Sequence, residues 1–159
     1  MAVKKITRRD DAAEATGGNF CDFGVDNSSG RLFVNRDGTR EPIASDYTKI
    51  VTAATTLTAE DDGITLVANS TSSIVVTLPA VATCGAGTKF TLVVKGLTSS
   101  GGHAFSPNSV DKIMGNGLTK ADDADLVCSA ATDRIGDACT IVSDGVDGWF
   151  ITGITGTWA

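Results

Sequence analysis

The chain has 159 residues, enough for one domain or one domain with an arm, and 42% hydrophobic residues support a single core of modest size. Its formal net charge of -6 repels phosphate backbones, which argues against nucleic acid as a partner. No apolar run reaches ~18 residues and MAVKKITRRDD has no apolar segment behind its basic residues, so neither a membrane span nor a secretory signal is expected, and the chain is expected to fold in a cytosol.

Aromatic residues are scarce and Gly, Thr, Ser, Val and Ala abundant. That mixture favours short strands and many turns, because β-branched side chains fit a pleated surface. Residues 1–19 read as an arm in which Lys4, Lys5, Arg8 and Arg9 precede Asp10, Asp11 and Glu14. A basic block followed by an acidic one suits a partner of mixed charge, and equally suits a solvated chain end. In RLFVNRDGTREPIAS the short apolar run Leu32-Phe33-Val34 leads to Asp37-Gly38, a hairpin signal.

The compact part begins near Tyr47, so the expected organisation is 1–45, an arm with a short hairpin, and 46–159, a β domain. YTKIVTAATTL alternates weakly, ATTLTAEDD offers one helical turn at most, and EDDG is a turn. ITLVANS places Ile64, Leu66 and Ala68 on one face, SIVVTLP stops at Pro79, and KFTLVVKG sets Phe90, Leu92 and Val94 against Thr91, Val93 and Lys95. These segments are expected to give three strands of one sheet, with AVATCGAG as a plain connection and LTSSGGHAFSPN as a polar excursion. VDKIMGNG and ADLVCSA supply further short strands, and DACTIVSDGVDGWFITGITGTW supplies two more joined through Asp144-Gly145 and Asp147-Gly148. Strands that recur every ~8 to 12 residues with turn signals between them predict an all-β fold, an antiparallel sandwich or barrel.

Candidate chemistry is thin. Cys21, Cys84, Cys128 and Cys139 form no C-x-x-C pair, which argues against zinc and for small buried hydrophobes; a disulfide between Cys128 and Cys139 is the exception to weigh. His103 is the single histidine and could pair with Ser99 or Ser100, yet no G-x-S-x-G elbow is present, and a locally bonded loop or strand-end histidine is the expectation. Calcium could be offered Asp122, Asp123 and Asp125, or Asp144 and Asp147, but neither set has the EF-hand spacing, so solvated acidic turns are expected. Paired carboxylates for glycoside hydrolysis lack the aromatic cleft that such sites use. No catalytic residue, cofactor or metal is expected, and the chain does not read as an enzyme.

The order LTAEDDGITLVANSTSSIVVTLPAVATCGAGTKFTLVVKG, then SSGGHAFSPNSVDKIMGNG, then GDACTIVSDGVDGWFITGITGTW resembles a group of tailed-bacteriophage virion proteins. The shared pattern is LTA-x-D-x-G, a TLP strand, a glycine turn and a strand ending near Lys. A GGH loop, an I-x-G turn and a final pair of strands around SDG-x-x-W follow. It falls on Leu57 to Gly63, Thr77 to Pro79, Gly87 to Lys95, Gly101 to His103, Ile113 to Gly115 and Gly136 to Trp149. The group includes capsid decoration (cement) proteins and some tail-fibre or tail-tip modules. The resemblance implies a trimerising, jelly-roll-like antiparallel β-sandwich without cofactor or catalytic residues. The implied partner is the phage major capsid protein, and the implied location the outer capsid surface of a virion assembled in the host bacterial cytoplasm. On that reading Lys4, Lys5, Arg8, Arg9, Asp10 and Asp11 are the candidate capsid contacts. The alternative is a tail module binding a host-surface glycan, for which Trp158 and Tyr47 are candidate platforms, with Trp149 expected inside the sheet instead.

Overall fold

The computed structural model describes residues 21–25, 32–36, 39–42 and 47–159. The chain divides into two compact units, Met1–Ser45 and Asp46–Ala159. In the first, strands β1 (Cys21–Val25), β2 (Leu32–Arg36) and β3 (Thr39–Pro42) pair in that order as an antiparallel meander. Arg36 lies opposite Thr39, so β2 and β3 are joined through Asp37-Gly38, the dipeptide that signalled a hairpin. The described part of this unit is thus a three-stranded sheet rather than a single hairpin.

The second unit opens with β4 (Tyr47–Val51), β5 (Thr55–Thr56) and a one-turn 3-10 helix, Ala59–Asp61. Strands β6 (Ile64–Ala68) and β7 (Val75–Thr77) follow, then a single helical turn α1 (Val81–Cys84) where a plain connection was expected. After β8 (Lys89–Val94) come β9 (Gly102–Ser106), β10 (Lys112–Gly115), β11 (Leu118–Thr119) and β12 (Leu126–Ser129). The hairpin of β13 (Ala138–Ser143) and β14 (Gly148–Thr155) completes the set. The all-β expectation holds. Seven strands form one sheet in the order β11-β10-β14-β13-β8-β6-β4, and four form another in the order β12-β9-β7-β5.

The antiparallel expectation does not hold throughout. β4 with β6, β6 with β8, β5 with β7, β7 with β9, and β10 with β14 all pair in parallel. The cause is the path of the chain: from β4 to β9 each successive strand joins the other sheet, so every return to a sheet runs in the same direction as the last visit. Residues 64–96 therefore do supply three strands, but β6 and β8 lie in the larger sheet and β7 in the smaller. Alternation specifies which face of a strand is apolar; it is silent about which sheet the strand joins.

The facing pattern itself is as read. Ile64, Leu66, Ala68, Phe90, Leu92 and Val94 are buried, and Thr65, Val67, Thr91 and Val93 on the other face are half-buried. Leu66, Leu92 and Cys139 stand side by side across three strands of the larger sheet. Val76, Phe105, Leu126 and Cys128 come from the smaller sheet and belong to the same apolar cluster. Each fully buried Leu or Phe here contributes roughly 1.5 to 3 kcal/mol. Trp149 packs against Phe90 with ring centroids 5.3 Å apart, inside the core as expected. Trp158 bridges to Cys128 at the edge of the smaller sheet, and backbone bonds between Ala159 and Val127 fix it there.

Candidate functional site

Several acidic side chains in the connections of the second unit are engaged by backbone. Asp61 accepts from the Thr58 N–H (2.9 Å) and hydroxyl (3.0 Å), closing the 3-10 turn, and its other oxygen accepts from the Tyr47 hydroxyl at 3.1 Å. Asp62 accepts from the Lys89 N–H at 2.7 Å and so ties the turn before β6 to the start of β8. Asp111 accepts from the Val81 N–H at 3.0 Å, at the start of α1. Asp133 accepts from the Thr98 N–H (2.8 Å) and hydroxyl (3.0 Å), joining two connections far apart in sequence. A hydrogen bond from backbone to a carboxylate is roughly twice as strong as a neutral one. These four carboxylates are therefore clamps, while Asp122 and Asp123 are exposed, as expected of a solvated acidic turn.

Asp144 is the densest of these. One oxygen accepts from the N–H groups of Val146 (2.8 Å), Asp147 (3.1 Å) and Gly148 (3.1 Å). Those bonds, the one from Val146 foremost, hold its carboxyl below the usual carboxylate range. Asp147 meets the Lys112 ammonium at 3.3 Å. The pair once weighed for calcium is thus spent on the hairpin turn and on a cation. Among the described residues no group of three or more His, Cys, Asp or Glu side chains is arranged to hold a metal ion, Asp122, Asp123 and Asp125 included.

His103 is the second residue of β9, near the strand's start as expected, but its hydrogen bonds are not local. It lies within β9, fully buried, opposite Cys128 of β12. LTSSGGHAFSPN read as a polar excursion, and the burial of the ring is what that reading lacked. Gly102 has φ +117, and a Cβ there would stand 2.1 Å from the Cys128 carbonyl oxygen, so the glycine permits close strand approach rather than looseness. The Ile74 N–H donates to His103 Nδ1 at 3.2 Å, which leaves the proton on Nε2, and that nitrogen donates to the Gly96 carbonyl at 2.8 Å. Both nitrogens are occupied by backbone, and neither faces Ser99 or Ser100. The ring staples the start of β7 to the turn after β8.

Cys84, Cys128 and Cys139 are free thiols. Cys128 and Cys139 are both buried, but they sit on β12 and β13, strands of different sheets, not on the neighbouring strands that a disulfide would have joined. Burial pushes the Cys139 thiol up to about 12, with Cys128 adding to the effect. Burial likewise pushes Cys128 to about 12, reinforced by the charges of Asp137 and Asp133. Cys84 rises to about 11 through burial and then the charges of Asp111 and Asp62. Thiols so placed hold little thiolate at neutral pH and are poor nucleophiles and poor metal ligands.

An open cleft of about 600 Å³ lies beside Asp133, Arg134, Asp137, Gly156 and Thr157. Asp133 is already bonded to Thr98, and Asp137 accepts from the Arg134 N–H at 2.9 Å. No aromatic side chain lines the cleft. The aromatic residues proposed for a sugar are placed elsewhere: Trp149 and Trp158 are buried, and Tyr47 is half-buried with its hydroxyl on Asp61. Among the described residues no helix is long and apolar enough to cross a membrane. Lys4, Lys5, Arg8, Arg9, Asp10 and Asp11 lie outside the described residues. No protein-family model matches the chain, and no curated protein matches it in sequence.

Proposed function

We propose that the chain is a structural protein of a bacteriophage virion, a decoration (cement) protein that sits as a trimer on the outside of the head and stabilises the shell. In this reading the two sheets of the second unit are the halves of a β-sandwich. One observation carries the proposal beyond the resemblance: the residues that make up the resemblance are scaffold parts. Leu57 is core, Asp61 closes its turn, Gly87 donates to the Ser143 carbonyl, His103 staples two strands, Ile113 and Trp149 are core, and Asp144 caps the last hairpin. A pattern whose signature residues build the frame supports a protein that works by being a rigid, repeated surface.

The mechanism is linkage. A protein that binds the assembled shell and not its separated subunits shifts the equilibrium toward intact heads. The segment around Lys4, Lys5, Arg8, Arg9, Asp10 and Asp11 is the candidate contact with the major capsid protein. Exposed ion pairs are worth well under ~1 kcal/mol each, so attachment through it depends on repetition over the copies of a trimer.

Quantifying the protein in purified particles tests the proposal. Hundreds of copies per virion are expected. A few to a few tens of copies would place the protein in the tail, and none would remove it from the virion. A chain lacking residues 1–19, mixed with undecorated heads across a salt series, is expected to bind more weakly than the full chain. Equal occupancy at every salt concentration would exclude that segment as the contact.

A further inference from the structure

Charge is distributed over the second unit in an unusual way. Residues 47–159 contain eleven carboxylates, from Glu60 to Asp147, and every one lies in a connection; none lies in a strand. The charged residues within the strands of this unit are Lys49, Lys89 and Lys112. No strand residue on the outer face of the seven-stranded sheet is acidic; Lys89 and Lys112 lie on that face, and the nearest acid is Asp147, paired with Lys112 at its edge.

Its composition follows from the register. Thr48, Thr65, Thr91 and Thr140 form one row across neighbouring strands, and Ile50, Val67, Val93 and Ala138 form the next. Val142 and Phe150 pair farther along the same face. Two of the exposed large hydrophobic side chains, Ile50 at 57% and Phe150 at 43%, belong to this face, and the others (Leu97, Val110, Ile135 and Val146) lie in connections. The Thr91 and Thr140 hydroxyls are bonded to each other at 2.9 Å, so each has one partner before the face is covered. Strands ~4.8 Å apart and a few residues long give a footprint on the order of 450 Å². That is the same order as the ~800 Å² that each partner buries in a standard interface.

We propose that this face is the surface through which copies of the chain pack against one another. The occupant follows from charge. Copies of an acidic chain repel, and the approach that costs least is the one that juxtaposes no carboxylates. The acid-bearing connections then remain at the ends of the strands, in solvent. The inference rests on the multi-copy reading above and adds the surface that it uses.

The test is the mass of the full-length chain by sedimentation or light scattering over a concentration series. The wild type is expected to assemble, and Val67→Glu and Val93→Glu are each expected to lose assembly while keeping a cooperative melt. Val75→Glu, on the smaller sheet, is expected to assemble like the wild type. If a glutamate variant fails to fold, Thr65→Lys asks the same question with a smaller change. Wild-type assembly that survives Val67→Glu, Val93→Glu and Thr65→Lys overturns the surface and leaves the multi-copy reading intact. A wild type that is monomeric throughout overturns the inference itself, while virion copy number still judges the decoration reading. Assembly retained by these variants together with new protease sensitivity in residues 1–46 would mean that the chain's own N-terminal segment covers the face, and the proposal falls.

Discussion

Replacing His103 with Phe separates the volume of the ring from its hydrogen bonds. Ile74 is fully buried, so its N–H would lose its acceptor with no water to replace it. An unsatisfied buried donor costs about 1–3 kcal/mol. The Gly96 carbonyl, in a half-buried turn, would lose an ordinary hydrogen bond worth about 0.5–1.5 kcal/mol. The sum is about 1.5–4.5 kcal/mol, with a small further cost from fitting a larger ring into a filled core. His103→Gln carries an acceptor and a donor at similar reach and should lose about half as much or less. Urea unfolding of the full chain, read as midpoint and slope, measures both. The expected result is a lower midpoint at unchanged slope for both variants, Phe well below Gln. Phe at or above Gln would refute the reasoning. So would a nitrogen NMR spectrum of the wild type with the proton on Nδ1.

Gly102→Ala should prevent stable folding or cost more than ~4 kcal/mol, because the new Cβ meets the Cys128 backbone and the backbone is left-handed; soluble yield and thermal melting check this. Asp144 is held below the usual range, so its contribution is full above about pH 4 and fades as pH falls through its folded-state value. Asp144→Asn should therefore be less stable than wild type at neutral pH and lose less on acidification, as a pH series of melts would show; parallel curves would contradict this. Cys128 and Cys139, buried with thiols near 12, should resist alkylation at neutral pH in the folded chain and react on addition of urea, which mass spectrometry reads directly. Trp149→Phe should cost less than ~3 kcal/mol despite full burial, because among the described residues the Trp149 indole nitrogen is the buried side-chain donor with no partner to lose; thermal melting measures it.

The sequence made the faces of the strands legible but not their neighbours. Period-two alternation in ITLVA and KFTLVV put the correct six side chains inside, because burial acts on each residue separately. Sheet membership depends on where a connection turns, and TLPAVATCGAGT gives no local sign that β7 and β8 lie in different sheets. The burial of His103 was not legible because the glycine before it has two uses, mobility and close approach, and only the position of Cys128 decides between them. The clamps were partly readable. Asp-Gly at Asp144 is a known turn signal, and its side chain does bond backbone two to four residues on. The Asp62 and Asp133 clamps reach across 27 and 35 residues, beyond any local pattern. Trp158, once an available aromatic, became core through a single bridge to Cys128 that nothing near it in sequence announces.

The alternating path from β4 to β9 has a consequence for the newborn chain. In that whole stretch no strand pairs with the one made just before or just after it. β8 gains its second neighbour only when β13 exists, and β9 only when β12 exists. The quick local hairpins of this unit, β10 with β11 and β13 with β14, are both synthesised late. A ribosome therefore exposes about half of the domain with only parallel pairings between non-consecutive strands open to it, and closing them is a slow, long-range search. Maturation should lag translation, and holding chaperones should meet this chain in its unclosed state. Truncations beyond β9 should accumulate as aggregates, not as smaller folded pieces.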